Sequence, residues 1–177
     1  SSGGLNKQLH KYINVPKFGC FKDQKERFIT DTDETMDKIW NIGGKTGWYY
    51  GNFLWRLRGY IDKLIGGIGL RRGRTNPSKL KAGDALDFWR VIFADKEQQK
   101  LLLYAEMRLP GEAWLEFKIE NKKLKQTATF RPHGIWGRIY WYSVMPFHGL
   151  IFSGMINKLA SVNHTASSYP VKNISNL

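Results

Sequence analysis

Cysteine is almost absent from this chain of 177 residues, and its scarcity excludes several kinds of protein. Cys20 is the only cysteine, so the chain can form no internal disulfide. Structural zinc sites that need several thiolates are excluded for the same reason. A chain without disulfides fits a reducing compartment, and we therefore expect a cytoplasmic protein.

Motifs of known chemistry are also scarce. Residues 67–72 (GIGLRR) match only part of the G-x-G-x-x-G fingerprint of dinucleotide-binding folds. Arg72 stands where the third glycine belongs, and a helix rather than a strand is predicted before the segment. No His, Asp and Glu residues have the spacing of a metal site. We therefore expect neither a cofactor nor a metal in this chain.

Positive charge, in contrast, is plentiful: 28 Lys and Arg residues against 15 Asp and Glu give a formal net charge of +13. This excess permits an anionic partner such as nucleic acid, anionic lipid or a phosphorylated ligand, although a basic surface is the simpler interpretation. The tightest basic cluster is Arg71, Arg72 and Arg74, a candidate anion-binding site. An exposed basic edge or an intramolecular salt bridge is the favoured alternative. Nucleic-acid binding is disfavoured because the aromatic residues follow the periodicity of a core.

The second half of the chain consists of strand-like segments followed by one long helix. The segments are 85–94 (ALDFWRVIFA), 101–109 (LLLYAEMRL), 113–120 (AWLEFKIE) and 124–131 (LKQTATFR). The links between them are too short for crossover helices, so neighbouring strands should be antiparallel. An apolar helix is predicted from Ile135 onward. We therefore expect an α+β fold with a curved antiparallel sheet wrapped around a long C-terminal helix.

The first half carries weaker signals. Residues 1–24 are interpreted as an N-terminal arm, and its opening SSGG as an expression scar or a cut from something longer. A short first strand is predicted at 26–30. Two helices should follow, one capped near Asp31 and an amphipathic one at 50–65. The domain itself is expected at 25–160, followed by a mobile polar tail at 161–177.

The long helix raises the question of a membrane span. From Ile139 to Asn157 there is no Lys, Arg, Asp or Glu, and that length approaches the roughly 20 residues a span needs. Pro146 interrupts the backbone ladder in mid-segment, and His148 and Asn157 add polar groups. We therefore expect a buried helix without a transmembrane span. Peripheral membrane contact through exposed aromatic residues is the alternative.

Long blocks of the chain resemble a known family. The blocks are 43–50 (GGKTGWYY), 54–59 (LWRLRG), 69–74 (GLRRGR), 83–91 (GDALDFWRV), 105–117 (AEMRLPGEAWLEF), 126–134 (QTATFRPHG) and 140–148 (YWYSVMPFH). They occur in order and resemble a bacterial domain of unknown function that is often fused behind short-chain-dehydrogenase or sugar-epimerase-like Rossmann domains. That family looks related to the helix-grip superfamily of START, polyketide-cyclase and plant-allergen-like proteins (SRPBCC). The resemblance implies a hydrophobic cavity between sheet and helix, and no established reaction.

The leading hypothesis is that this cavity binds a small hydrophobic or amphipathic molecule. Aromatic residues on both the sheet and the closing helix motivate it. The predicted lining residues are Trp89, Phe117, Phe130, Trp141, Tyr142, Met145 and His148.

Two other functions remain open. A cyclase- or hydrolase-like enzyme would use Asp87, Glu106 or His148 in the same cavity. The favoured interpretation of the two acids is nonetheless a surface carboxylate or an ion-pair partner of Arg90 or Arg108. The third hypothesis is a non-catalytic interaction module for a dehydrogenase-like Rossmann-fold partner.

Overall fold

The computed structural model describes residues 10–43, 45–52, 60, 80–106 and 108–161. Within these residues, six antiparallel strands form one sheet, and a long helix lies on one of its faces. The elements are β1 (Phe21–Phe28), α1 (Thr32–Trp40), β2 (Ala85–Leu86), β3 (Trp89–Asp95), β4 (Lys100–Ala105), β5 (Gly111–Glu120), β6 (Lys123–Pro132) and α2 (Gly134–Ala160). The strand order is β1-β6-β5-β4-β3-β2. The predicted α+β helix-grip architecture is confirmed.

Several strand boundaries differ from the predictions, and the strand predicted at 101–109 ends at Ala105. β1 begins at Phe21 rather than at Glu26, and Phe21 pairs with Phe130 of β6. The predicted strand at 85–94 is divided in two, because the chain turns at Asp87, whose φ is 56°. Leu86 then pairs with Trp89 across that tight turn. The sheet is therefore longer at its β1 edge and shorter at its β2 edge than the sequence predicts.

Helix α1 begins as predicted. The Asp31 carboxylate accepts a hydrogen bond from the Glu34 amide at 2.9 Å, which caps the first turn. Lys38 reaches from α1 to the carbonyl of Ser161 at the end of α2, and it forms an ion pair with Glu34 at 3.0 Å. These contacts fix the end of α2 against α1.

The inner face of the sheet carries the main core. Leu115, Phe117 and Ile119 of β5 face this core, as the alternation of the strand predicts. α2 contributes Ile151, Phe152, Met155, Ile156 and Leu159 to it. The second half of α2 is therefore buried against β6 and β1.

The outer face carries a smaller apolar cluster of Ile92, Leu102 and Trp114. The N-terminal segment covers it: the ring of Tyr12 stacks on Tyr104 with 3.9 Å between centroids. The indole of Trp114 also donates to the Tyr12 carbonyl at 3.0 Å. This part of the predicted arm packs on the sheet, and residues 10–13 form a helical turn.

Some predictions fall outside the described residues. These are most of the amphipathic helix at 50–65, the cluster of Arg71, Arg72 and Arg74, and the tail beyond Ser161. Within the described part of the chain, no helix combines the length and the apolarity needed to cross a bilayer.

Candidate functional site

A pocket lies between the middle of α2 and the sheet. Its volume is about 60 Å³. The described residues that line it are Trp89, Leu109, Ala113, Trp114, Ala128, Thr129, Phe130, Tyr140, Trp141, His148 and Phe152. Since about 10–15 Å³ holds one water, the pocket has room for several waters or for the head of a small molecule.

The first turn of α2 is anchored to the sheet, and this contact fixes the position of the helix beside the pocket. The amide of His133 donates to the Pro110 carbonyl at 2.9 Å, which ties the start of the helix to the loop between β4 and β5. Gly137 lies against the same carbonyl, and any Cβ at this position would overlap it and Pro132. This close approach fixes the start of α2 beside Leu109 and Ala113, which line the pocket.

Aromatic rings form the walls. Phe130 of β6 stacks on Trp141 of α2 with 5.7 Å between centroids and 7° between planes. His148 meets Trp141 edge to face at 5.9 Å and lies 5.1 Å from Phe152. Tyr140 contacts Phe130 from the other side at 5.7 Å. Flat apolar surfaces of this kind bind rings and planar groups well.

Polar groups in the pocket are few. None of the lining residues that the structure describes is Asp, Glu, Lys or Arg. The side chain of Trp89 is 4% exposed, and its indole Nε1 is buried without an acceptor among the described residues. A buried N–H donor left in this state is uncommon in native proteins. The pocket is therefore apolar and formally uncharged apart from His148, with an unused donor in one of its lining side chains.

Four of the seven predicted lining residues do line this pocket: Trp89, Phe130, Trp141 and His148. Phe117 does not, because it is fully buried deeper in the core, opposite Leu101. Tyr142 and Met145 do not either, since they lie on the outer side of α2 with 67% and 42% of their surface exposed. On a helix each residue is turned by about 100° from the last, so Trp141 faces inward and Tyr142 faces out. Whether the four residues bind a ligand stays a prediction.

The two acids proposed for catalysis are elsewhere. The Asp87 carboxylate accepts a hydrogen bond from the Trp48 indole at 2.8 Å. Glu106 forms a two-point ion pair with Arg90, with N···O distances of 2.9 and 3.0 Å. The favoured interpretation of Glu106 as a partner of Arg90 is therefore confirmed. Of the three catalytic candidates, His148 alone is a lining residue.

Sequence reasoning missed several lining residues. Leu109, Ala113 and Ala128 carry no chemical signal of a site, and Tyr140 and Phe152 were counted only as part of an apolar helix. Helical periodicity would have found Phe152 on the same side of α2 as Trp141 and His148, which precede it by 11 and 4 residues. The small side chains of Ala113 and Ala128 have no such signal.

In the ranges that the structure covers, no group of three or more His, Cys, Asp or Glu side chains could hold a metal ion.

The outward side of α2 carries large exposed apolar side chains: Ile135, Trp136, Ile139, Tyr142, Met145, Phe147 and Leu150. We call this set the outer face of α2.

Comparison with protein families confirms one part of the resemblance, namely membership of a domain family of unknown function. A family model described as "Protein of unknown function (DUF2867)" matches residues 20–155. The chain belongs to this family. No curated protein matches the DUF2867 chain.

Several solved structures align with this chain at low identity. A hypothetical protein from Helicobacter pylori (jhp0584) aligns with a TM-score of 0.47 at 10% identity, covering 83% of this chain and 93% of that one. Norcoclaurine synthase from Thalictrum flavum, solved with dopamine and hydroxybenzaldehyde, aligns with a TM-score of 0.45 at 10% identity, covering 83% and 91%. An uncharacterised protein from Bacillus thuringiensis aligns with a TM-score of 0.38 at 11% identity, covering 80% and 99%. The fold assignment of the DUF2867 chain rests on its own strand order and helix placement.

Proposed function

We propose that this domain binds a small apolar or amphipathic molecule, in the cytoplasm, in the pocket beneath the middle of α2. The observation that supports this function is a concave site walled by Phe130, Trp141, His148 and Phe152 and lacking Asp, Glu, Lys and Arg among its described lining residues. Burial of apolar ligand surface there would contribute about 25 cal/mol per Å².

The size of the pocket limits the ligand. A volume of about 60 Å³ encloses one small group rather than a drug-sized molecule, for which sites of about 300 Å³ or more are usual. The ligand would therefore insert one end beneath α2 and extend the rest toward solvent.

Native mass spectrometry of the protein purified from its own host tests this function directly. We expect a co-purifying molecule that dissociates on unfolding. A matched pair of variants locates it. Ala128→Leu fills the pocket and should abolish the bound mass, whereas Ala82→Leu makes the same change at an exposed alanine and should retain it. Equal loading of both variants would contradict binding in this pocket.

An enzymatic role would depend on His148. It is the one catalytic candidate among the described lining residues. Asp87 and Glu106 lie outside the lining, where they bind Trp48 and Arg90. A cyclase- or hydrolase-like reaction in this pocket would thus use His148 as its general acid or base. Loss of turnover of the co-purified molecule in His148→Gln, with binding retained, would support this alternative.

A second candidate function is suggested by the outer face of α2. Exposed apolar surface concentrated on one helix commonly marks an interaction site. A dehydrogenase-like Rossmann-fold protein encoded nearby is the partner we propose, following the family resemblance. In a pull-down, Trp136→Ser with Phe147→Ser should release such a partner, while Ala128→Leu should retain it. Flotation of the wild-type protein with anionic vesicles, lost in the double variant, would instead support peripheral membrane contact.

A further inference from the structure

The unused N–H donor of Trp89 restricts the chemistry of the ligand. Burying such a donor without an acceptor is unfavourable, and most buried donors in native proteins are therefore satisfied. Trp89 is held firmly where it is. It lies on β3 between Leu86 and Ala105, and its ring packs against Phe88 and Trp48 at centroid distances of 5.7 and 6.0 Å.

The other tryptophan of the lining that belongs to the sheet is different. Trp114 donates its indole N–H to the Tyr12 carbonyl at 3.0 Å, and its ring belongs to the cluster on the outer face. Of these two strand residues, Trp89 alone has an indole N–H that is buried without an acceptor among the described residues. An indole N–H only donates, so the group it binds must be an acceptor.

The scarcity of basic side chains in the pocket also restricts the charge of the ligand. A carboxylate or phosphate in this pocket would lie among Leu109, Ala113 and aromatic rings, with His148 as the one basic side chain of the described lining and no Lys or Arg to compensate it. Burial of an unpaired charge is far more costly than burial of a neutral polar group. A neutral carbonyl oxygen satisfies the donor without that penalty.

We propose that the pocket binds the carbonyl end of an uncharged, planar molecule, whose oxygen accepts a hydrogen bond from Trp89 Nε1. This inference rests on the proposed ligand-binding function and adds the class of ligand to it. The carbonyl lies enclosed beneath α2, and the planar part lies against the stacked rings of Phe130 and Trp141.

Two probes of the same shape test it: acetophenone, and α-methylstyrene, in which a CH₂ group replaces the carbonyl oxygen. Binding is measured by NMR titration of wild type. We expect acetophenone to bind about tenfold more tightly, a ratio equivalent to about 1.4 kcal/mol. Benzoate, which keeps the oxygen acceptor but is anionic, should bind more weakly than acetophenone.

Variants assign the effect to one residue. Trp89→Phe should reduce the acetophenone preference to about onefold while retaining α-methylstyrene binding. Trp136→Phe makes the same substitution at an exposed tryptophan outside the pocket lining, and it should keep the tenfold preference. In wild type, the indole proton signal absent from the Trp89→Phe spectrum should move downfield with acetophenone.

The outcomes separate the two proposals. Equal affinity of wild type for acetophenone and α-methylstyrene would overturn the carbonyl inference and leave ligand binding intact, as when a water satisfies Trp89. A preference that survives Trp89→Phe, or tighter binding of benzoate, would also overturn it. If neither neutral probe perturbs any pocket residue, the ligand-binding function fails, and this inference fails with it.

Discussion

The indole Nε1 of Trp48 donates a hydrogen bond to the Oδ2 atom of Asp87 at 2.8 Å. The bond joins the loop after α1 to the turn between β2 and β3. Asp87 adopts a φ of 56°, a conformation that Asp and Asn tolerate better than most residues. The carboxylate that the sequence offered as a catalytic candidate therefore has a structural role at this turn.

Replacement of Asp87 distinguishes the two roles. Asp87→Ala should lower the free energy of unfolding by about 2–4 kcal/mol, because it leaves the Trp48 N–H unpaired and strains the turn. Asp87→Asn retains an acceptor and the backbone preference, and it should cost under about 1 kcal/mol. Urea unfolding measures both. Equal stability of the two variants would contradict this role.

Gly154 of α2 lies directly beneath the ring of Tyr50, and a Cβ there would overlap the ring. Gly154→Ala should therefore destabilise the protein by about 1–3 kcal/mol. Gly149→Ala is the matched control, since nothing lies near its Cβ position, and it should be neutral or stabilising by up to about 1 kcal/mol. Thermal unfolding compares them. The penalty at Gly154 should disappear in a Tyr50→Ala background, and a penalty that persists would assign it to another contact.

The ion pair between Arg90 and Glu106 should matter more than an exposed pair. Arg90 contacts both carboxylate oxygens and also donates to the Gly83 carbonyl at 2.8 Å. Glu106→Gln should cost about 1 kcal/mol in chemical unfolding. Asp37→Asn removes the pair with Lys96, whose side chains are 68% and 57% exposed, and should change stability by less than about 0.5 kcal/mol. Loss of probe binding in Glu106→Gln, with stability unchanged, would contradict the structural role.

Tyr104 should ionise late in an alkaline titration. Burial of its phenol raises the pKa of Tyr104 above the ordinary value of 10.0, and hydrogen bonding to Tyr12 raises it further. The folded state then holds the proton more tightly than the unfolded chain. The associated stability is complete below pH 10 and is lost as the pH rises through the folded value.

Absorbance at 295 nm follows this ionisation. We expect a late tyrosine phase in wild type that is absent from Tyr104→Phe, together with a smaller loss of stability above pH 10 in the variant. Tyr142→Phe, at an exposed tyrosine of the outer face of α2, should leave the late phase unchanged. A late phase that persists in Tyr104→Phe would assign the raised pKa to another tyrosine.

Local patterns in the sequence account for much of the fold. The alternation in 113–119 placed Leu115, Phe117 and Ile119 on the core face of β5, and Asp31 caps α1 as its side chain predicts. These signals are local, because a strand repeats every two residues and a cap acts within one turn. The sequence therefore determined which elements form, their antiparallel pairing and the apolar C-terminal helix.

Only the tertiary structure decided where the pocket lies and what it offers. Phe117 and Phe130 are both inward aromatic residues, yet Phe130 alone lies where α2 stands over Ala113 and Ala128. The position of α2 depends on the contact of its first turn with the Pro110 carbonyl. The covering of the outer face of the sheet depends on the hydrogen bond between Tyr12 and Trp114, which are 102 residues apart in the chain. The sequence likewise does not show which of Trp89 and Trp114 has an acceptor for its indole N–H. One indole is satisfied and the other is not, because hydrogen bonding depends on which distant groups the packed chain brings together.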